Sequence, residues 1–210
     1  VNDVWKMVHE ERAVLADDMR EVADELWDTP SLCPGWTVHD VVAHLVESAR
    51  TSRTRFAVKM LRARMDFDRQ NAAGIARERG STPAETLTRL VACIPLTATP
   101  PAPLDTRLVE MVVHGEDIRR PLRISRTYPH EAVRRALRLQ ARTSTSFGGA
   151  RQSIAGVRLS ATDADLSIGD GPEVVGTALS LLLAISGRPV EPGELDGPGV
   201  AELVQACGAA

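Results

Sequence analysis

Two residues on one stretch of this chain are spaced for shared chemistry. Glu110 and His114 stand four apart, which on a helix places them side by side, about 40° from each other around the axis. Thr106, Arg107 and Asp117 fall on the same stripe, while Leu104, Leu108, Val109, Met111, Val112, Val113 and Ile118 fill much of the remaining circumference. A helix so apolar is expected to lie embedded among others. A carboxylate and an imidazole buried there need a partner, because an unpaired buried charge is costly. A divalent metal satisfies both, and a third ligand from elsewhere would still leave an open position suited to catalysis. The competing reading is a simple i,i+4 pair on a solvent-facing stripe, since E-x-x-x-H spacing often arises without a metal.

His44, on an earlier helix beside Val41 and Ser48, is the natural third ligand, although a lone histidine on a half-buried helix is often only a packed polar residue. Asp40 and Glu47, four and three residues away, are candidates to orient its other ring nitrogen. Two neutral histidines and one carboxylate leave a dication net positive, the condition under which a bound water or thiol is held as an anion at neutral pH. Arg50, Arg53, Arg55 and Arg107 could receive a carboxylated substrate, but the reading preferred for them is a solvated helix face. His39, close to a helix start, is expected at the surface. Cys33 has no activating base in sequence and reads as a structural thiol.

These residues require helices to position them. Apolar residues from Val4 to Trp27 recur at helical spacing, and the Pro- and Gly-containing stretch 29–36 then enforces a loop. Thr37 and Asp40 form a capping-box start for the helix bearing His44, whose pattern runs on toward Met65 with a possible break. Further helices are expected from Pro83 to Cys93, from about Leu104 to Arg120 ahead of Pro121, and from Glu131 to Arg142. After Phe147-Gly148-Gly149 the texture changes. Val157 to Ala161 and Leu166 to Ile168 alternate like the strands of a hairpin, Val174 to Ser186 reads as an apolar helix, and Val200 to Cys207 as a short terminal one. The expected architecture is mainly α: a helical bundle over residues 1–147, then a small α+β module over 148–210.

Composition excludes several function classes. The 210 residues are 43% hydrophobic and 25% charged, as in an ordinary globular protein, and aromatics are only 3%, so the core must be aliphatic. A net charge of −3 offers no electrostatic case for nucleic acid. Three widely separated cysteines suit a reducing compartment rather than a disulfide framework. With a charged, amphipathic start and no apolar run long enough to span a bilayer, a cytoplasmic protein without membrane association is expected.

Two motifs carry a family resemblance. The stretch Trp27 to Leu45, W-D-T-P-S-L-C-P-G-W-T-V-H-D-V-V-A-H-L, and the segment E-x-x-x-H-x-x-D from Glu110 to Asp117 resemble the mycothiol-dependent maleylpyruvate isomerase family, within the DinB-like metal-binding superfamily. The tail from Gly176 to Pro189 is similar to that family's small C-terminal domain. The resemblance implies a DinB-like four-helix bundle with a metal near one end and an α+β appendage. It implies His44, Glu110 and His114 as metal ligands, Zn2+ as the expected metal and mycothiol as co-substrate. The activity implied is isomerisation or S-transfer on an electrophilic small molecule, by a monomer or homodimer. The alternative is a metal-binding protein of the same fold without turnover, in a stress-response or sensor role. Residues that contact the thiol or substrate are not transferred by either motif.

Overall fold

The computed structural model describes residues 2–208 and divides into two compact units, Val1–Arg126 and Thr127–Ala210. The first contains helices α1 (Asn2–Arg20), α2 (Val38–Ala49), α3 (Arg53–Arg62), α4 (Phe67–Glu78), α5 (Pro83–Cys93) and α6 (Thr106–Arg119). Both α1 and α2 pack against both α5 and α6, which closes a four-helix bundle. The helices α3 and α4 are an excursion between α2 and α5, with α4 laid along α2. Val8, Leu15, Val41, Val42, Leu45, Val46, Leu90 and Ile118 are among the residues sealed in the interior, the aliphatic core that scarce aromatics require.

Local chemistry explains where these helices begin and end. Thr37 accepts a hydrogen bond from the Asp40 amide while the Asp40 carboxylate receives the Thr37 amide, a complete capping box for α2. Thr82 caps α5, with Pro83 in its first turn. The long helix expected from Val4 to Trp27 stops at Arg20, and residues Asp24–Asp28 form a separate 3-10 turn that brings Trp27 into the core. The expected continuation of α2 toward Met65 is likewise cut. Thr51 turns its hydroxyl back to the Glu47 carbonyl, and Ser52 caps a new helix by accepting from the Arg55 amide. Side chains of this kind offer the backbone an alternative to helix propagation. The helix α4 carried no sequence motif. It approaches α2 closely at Gly74, where a Cβ would lie 2.7 Å from Glu47 Cγ.

The second unit holds α7 (His130–Arg142), β1 (Arg158–Ala161), β2 (Ser167–Ile168), β3 (Glu173–Gly176), α8 (Ala178–Ile185), β4 (Leu195–Asp196) and α9 (Val200–Cys207). Its sheet has the order β2-β1-β3-β4. The expected hairpin is present, with Leu159 opposite Ile168 and Ser160 opposite Ser167. The helix expected from Val174 to Ser186 is in fact a strand followed by a helix. Glu173–Gly176 pairs in parallel with β1, and Thr177 then caps α8. Gly176 admits no side chain, since a Cβ there would lie 2.7 Å from the Glu194 carbonyl oxygen. The helix α7 packs on α8. The compact units therefore meet between Arg126 and Thr127, whereas the change of texture in sequence divides the chain after 147. The molecule is mainly α, a helical bundle with a small α+β unit after it. No helix among the described residues is long and apolar enough to cross a membrane.

Candidate metal centre

Helices α2 and α6 pack together and bring the candidate residues into one cluster. The rings of His44 and His114 meet edge to face with centroids 4.9 Å apart. Trp36, from the loop before α2, lies 5.1 Å from His44 and 6.4 Å from His114, so the aromatic residue preceding the helix cap walls one side of the pair. His44, Ser48, Arg107 and Glu110 line a common cavity of about 160 Å³. Gln70 and Asn71 from α4 line it too, so the excursion, which sequence reasoning left blank, contributes to the site.

The three expected ligands are held differently. His114 is fixed through Nδ1, 2.8 Å from the buried Asp117 carboxylate one turn on, an arrangement that selects a tautomer and leaves Nε2 as the acceptor nitrogen. For His44, neither expected carboxylate serves. Asp40 is engaged by its cap and by Arg79 at 2.6 Å, and Glu47 is bound by Lys59 and Arg77. His44 Nδ1 is enclosed and has no hydrogen-bond partner. The Glu110 carboxylate accepts a hydrogen bond from Ser48 and pairs with Arg107 Nη1 at 3.0 Å. Among the described residues, no group of three or more His, Cys, Asp or Glu side chains is gathered closely enough to hold a metal ion. The two imidazoles are together, while the oxygens of Glu110, the third expected ligand, are engaged by a cation and a hydroxyl.

The electrostatics favour ligand-ready protonation states. Burial, reinforced by the neighbouring His114, pushes the His44 pKa down to about 4, so the ring is neutral at pH 7. Burial alone would raise the Glu110 pKa. Arg107, His44 and the Ser48 hydrogen bond overcome it and hold the carboxyl below its usual range, hence ionised.

Two sequence expectations are corrected. Arg107 is not part of a solvated face: it is 5% exposed and donates to Ser48 Oγ at 2.6 Å, because its side of α6 turns inward toward α2. His39 is not at the surface either. It is buried, 2.7 Å from Thr86 Oγ1, and edge-on to Trp27. Arg53 and Arg55 are exposed as expected, and no disulfide joins Cys33, Cys93 and Cys207.

Comparison with known proteins agrees with this arrangement of elements. Residues 8–102 match the family model for the mycothiol maleylpyruvate isomerase N-terminal domain, which spans α2 with His44 and ends before α6. A crystal structure of the mycothiol-dependent maleylpyruvate isomerase is similar to this chain at a TM-score of 0.62 and 16% identity, covering 94% of this chain and 92% of that one. A crystal structure of a histidine-to-alanine mutant of that enzyme is similar at the same TM-score and 13% identity, again covering 94% and 92%. No curated protein matches the chain.

Proposed function

From a chain whose residues 8–102 carry the mycothiol maleylpyruvate isomerase N-terminal domain, we propose a metal- and thiol-dependent enzyme acting on an electrophilic small molecule, with mycothiol as the thiol. The observation that carries this reading is the close meeting of His44 and His114, one with an enclosed, unpartnered ring nitrogen, beside an ionised Glu110. Nitrogen donors and a carboxylate of this kind suit Zn2+. The ligands in this reading are His44, Glu110 and His114, with Glu110 giving up part of its hold on Arg107. Bound there, the metal would supply the charge that keeps the thiol as a thiolate at neutral pH.

The chain's own residues do the rest. Asp117 anchors His114, Ser48 and Arg107 restrain Glu110, and Trp36 shields the imidazole pair from one side. Addition of the thiolate to a conjugated double bond leaves a single bond free to rotate, and elimination restores the double bond and the thiolate, so the thiol is not consumed in isomerisation. In S-transfer the adduct takes up a proton and leaves with the thiol attached. The match of residues 8–102 to the isomerase N-terminal domain model supports the first outcome.

The test combines metal analysis with turnover. Zinc-loaded wild type is expected to turn over an activated alkene only with mycothiol, while His114→Ala loses both zinc and turnover. Asp117→Asn should keep zinc but bind it roughly ten- to a hundredfold more weakly, as expected when a ligand loses its orienting partner. Occupancy should also fall as pH drops toward about 4, where protons begin to compete for His44. Turnover that persists in fully metal-free protein would refute the mechanism. Full occupancy without turnover on any thiol and acceptor would make the chain a metal-binding protein.

A further inference from the structure

We propose that the groove between α3 and α4 binds a phosphate group, the anionic end of a phosphorylated ligand, in a space that none of the expected metal ligands lines. The sequence concentrates positive charge there. Between Glu47 and Asp66 the chain has Arg50, Arg53, Arg55, Lys59, Arg62 and Arg64 and no carboxylate, in a protein of net charge −3. The helix α3 packs on α4 and the two enclose a cavity of about 140 Å³. Lys59 and Arg62 line it from one side and Arg69 and Arg77 from the other, and no carboxylate lines it. Lys59 and Arg77 are tied to Glu47, but the ion pairs among the described residues include neither Arg62 nor Arg69. Ala63 and Ala73 stand in the same lining, short side chains that leave open the room a longer one would fill.

The arrangement of charge selects the ligand. Cations crowded into one enclosed space repel each other, and a bound anion replaces that repulsion with attraction at close quarters. A carboxylate brings one negative charge and one planar edge. Four cations on two sides suit a phosphate monoester instead, which carries about −1.5 to −2 at pH 7 and presents three acceptor oxygens. Guanidinium forks match that geometry. The ligand has room to extend beyond its phosphate. Lys59, Arg62 and Arg77 also line an adjoining cavity of about 420 Å³, whose wall includes Thr54 and Val58. Beyond the shared cations, Arg50 and Arg55 in that wall are balanced by Glu47 and Glu78. The larger space therefore holds no surplus charge of its own and suits the uncharged body of a phosphate ester.

Inorganic pyrophosphate serves as the probe, titrated calorimetrically into the full chain without added metal at about 0.15 M salt, where distant charges are screened. Wild type is expected to bind it saturably. The double variant Arg62→Gln/Arg69→Gln leaves Lys59 and Arg77 on Glu47 and should bind roughly ten- to a hundredfold more weakly, the range for lost charge-assisted hydrogen bonds. Arg138→Gln/Arg151→Gln removes the same charge from exposed positions of the second unit and should change the affinity by less than about twofold, since those charges are screened. Equal weakening in the two double variants would reduce the effect to net charge and overturn the site, as would a wild type that does not saturate. If Arg62→Gln/Arg69→Gln loses helix by circular dichroism, Arg62→Gln decides alone, and wild-type affinity in it overturns the assignment. Sedimentation with phosphatidylcholine vesicles containing phosphatidic acid identifies the source of the phosphate. Vesicle binding that pyrophosphate displaces assigns the groove to a lipid headgroup. Pyrophosphate binding without vesicle binding assigns it to a soluble phosphate ester.

Discussion

Helix α6 carries two buried polar clusters that were built to different ends. Toward its C-terminus, Arg119 is fully buried and lies 2.7 Å from Glu11 Oε1 and 2.7 Å from Asp18 Oδ2 of α1, with Arg126 reaching the other Glu11 oxygen at 2.9 Å. One turn and more earlier, Arg107, Glu110 and His114 face α2. There, a ring nitrogen of His44 and the Nε of Arg107 are enclosed without partners. The first cluster matches cation to carboxylate on both sides and ties α6 to α1. The second, on the opposite face of the same helix, leaves an imidazole nitrogen of His44 unmatched. An imidazole nitrogen left unsatisfied in a packed interior marks a place where a protein has given up stability, and here it belongs to a residue whose type suits a metal.

The widest gap between the clusters should appear on mutation. Arg119→Ala takes the cation away from Glu11 Oε1 and from Asp18 and leaves Glu11 with Arg126 alone, and breaking a buried pair from one side costs up to about 3–5 kcal/mol. Urea unfolding should show that loss as a lower midpoint with an unchanged slope. A loss below about 1 kcal/mol would mean that the α1–α6 cluster is no more a structural tie than a surface pair.

Acidification probes the open cluster next. The His44 pKa lies at about 4 in the folded chain, below the ordinary value of about 6.5 expected on unfolding. Between those values the unfolded chain binds a proton that the folded chain refuses. The metal-free protein should therefore lose stability as pH falls from about 6.5 to about 4, by on the order of 2–3 kcal/mol, with this contribution level below that. The carboxylates add their own losses further down, so the informative quantity is the difference from a His44 variant across that window. A flat difference between pH 6.5 and 4 would show that His44 is solvated enough to titrate normally.

The closed cluster was invisible in the sequence and the open one was not, for a physical reason. The pairing of Arg119 with Glu11 spans most of the bundle's length in sequence and depends on which faces α1 and α6 turn to each other, which no local pattern encodes. Glu110 and His114 announce themselves by four-residue spacing, and His44 by the motif around a capping box whose hydrogen bonds are local. Arg107 shared their stripe, yet charge alone suggested solvent. Only the packing of α6 on α2 turns it inward. The same limit applies to the elements. The capped helices α2 and α5 were legible at their starts, whereas the break after Ala49 depends on Thr51 and Ser52 competing for the backbone. The strand Glu173–Gly176 hid in an apolar run whose partner, β1, had to be in place before its periodicity could be interpreted.

The smallest stability effect should come from the substitution with the largest chemical consequence. Replacing His44 with leucine removes a ring whose Nδ1 has no partner and substitutes a side chain of similar volume at a position flanked by Val41 and Leu45 of the same helix. Lost aromatic contact with Trp36 and His114 opposes the gain from no longer desolvating an unpaired imidazole. Since exchanging an unsatisfied polar group for an apolar one of the same shape is often neutral or favourable, His44→Leu should change metal-free stability at pH 7 by less than about 1 kcal/mol in either direction. Zinc uptake should nevertheless be abolished, and the acid-induced loss between pH 6.5 and 4 should shrink with it. Urea titration and metal analysis on the same preparation measure both. Destabilisation as large as that of Arg119→Ala would place His44 among the ties of the bundle and erase the contrast between the two faces of α6. Wild-type zinc affinity in the leucine variant would remove His44 from the proposed metal site.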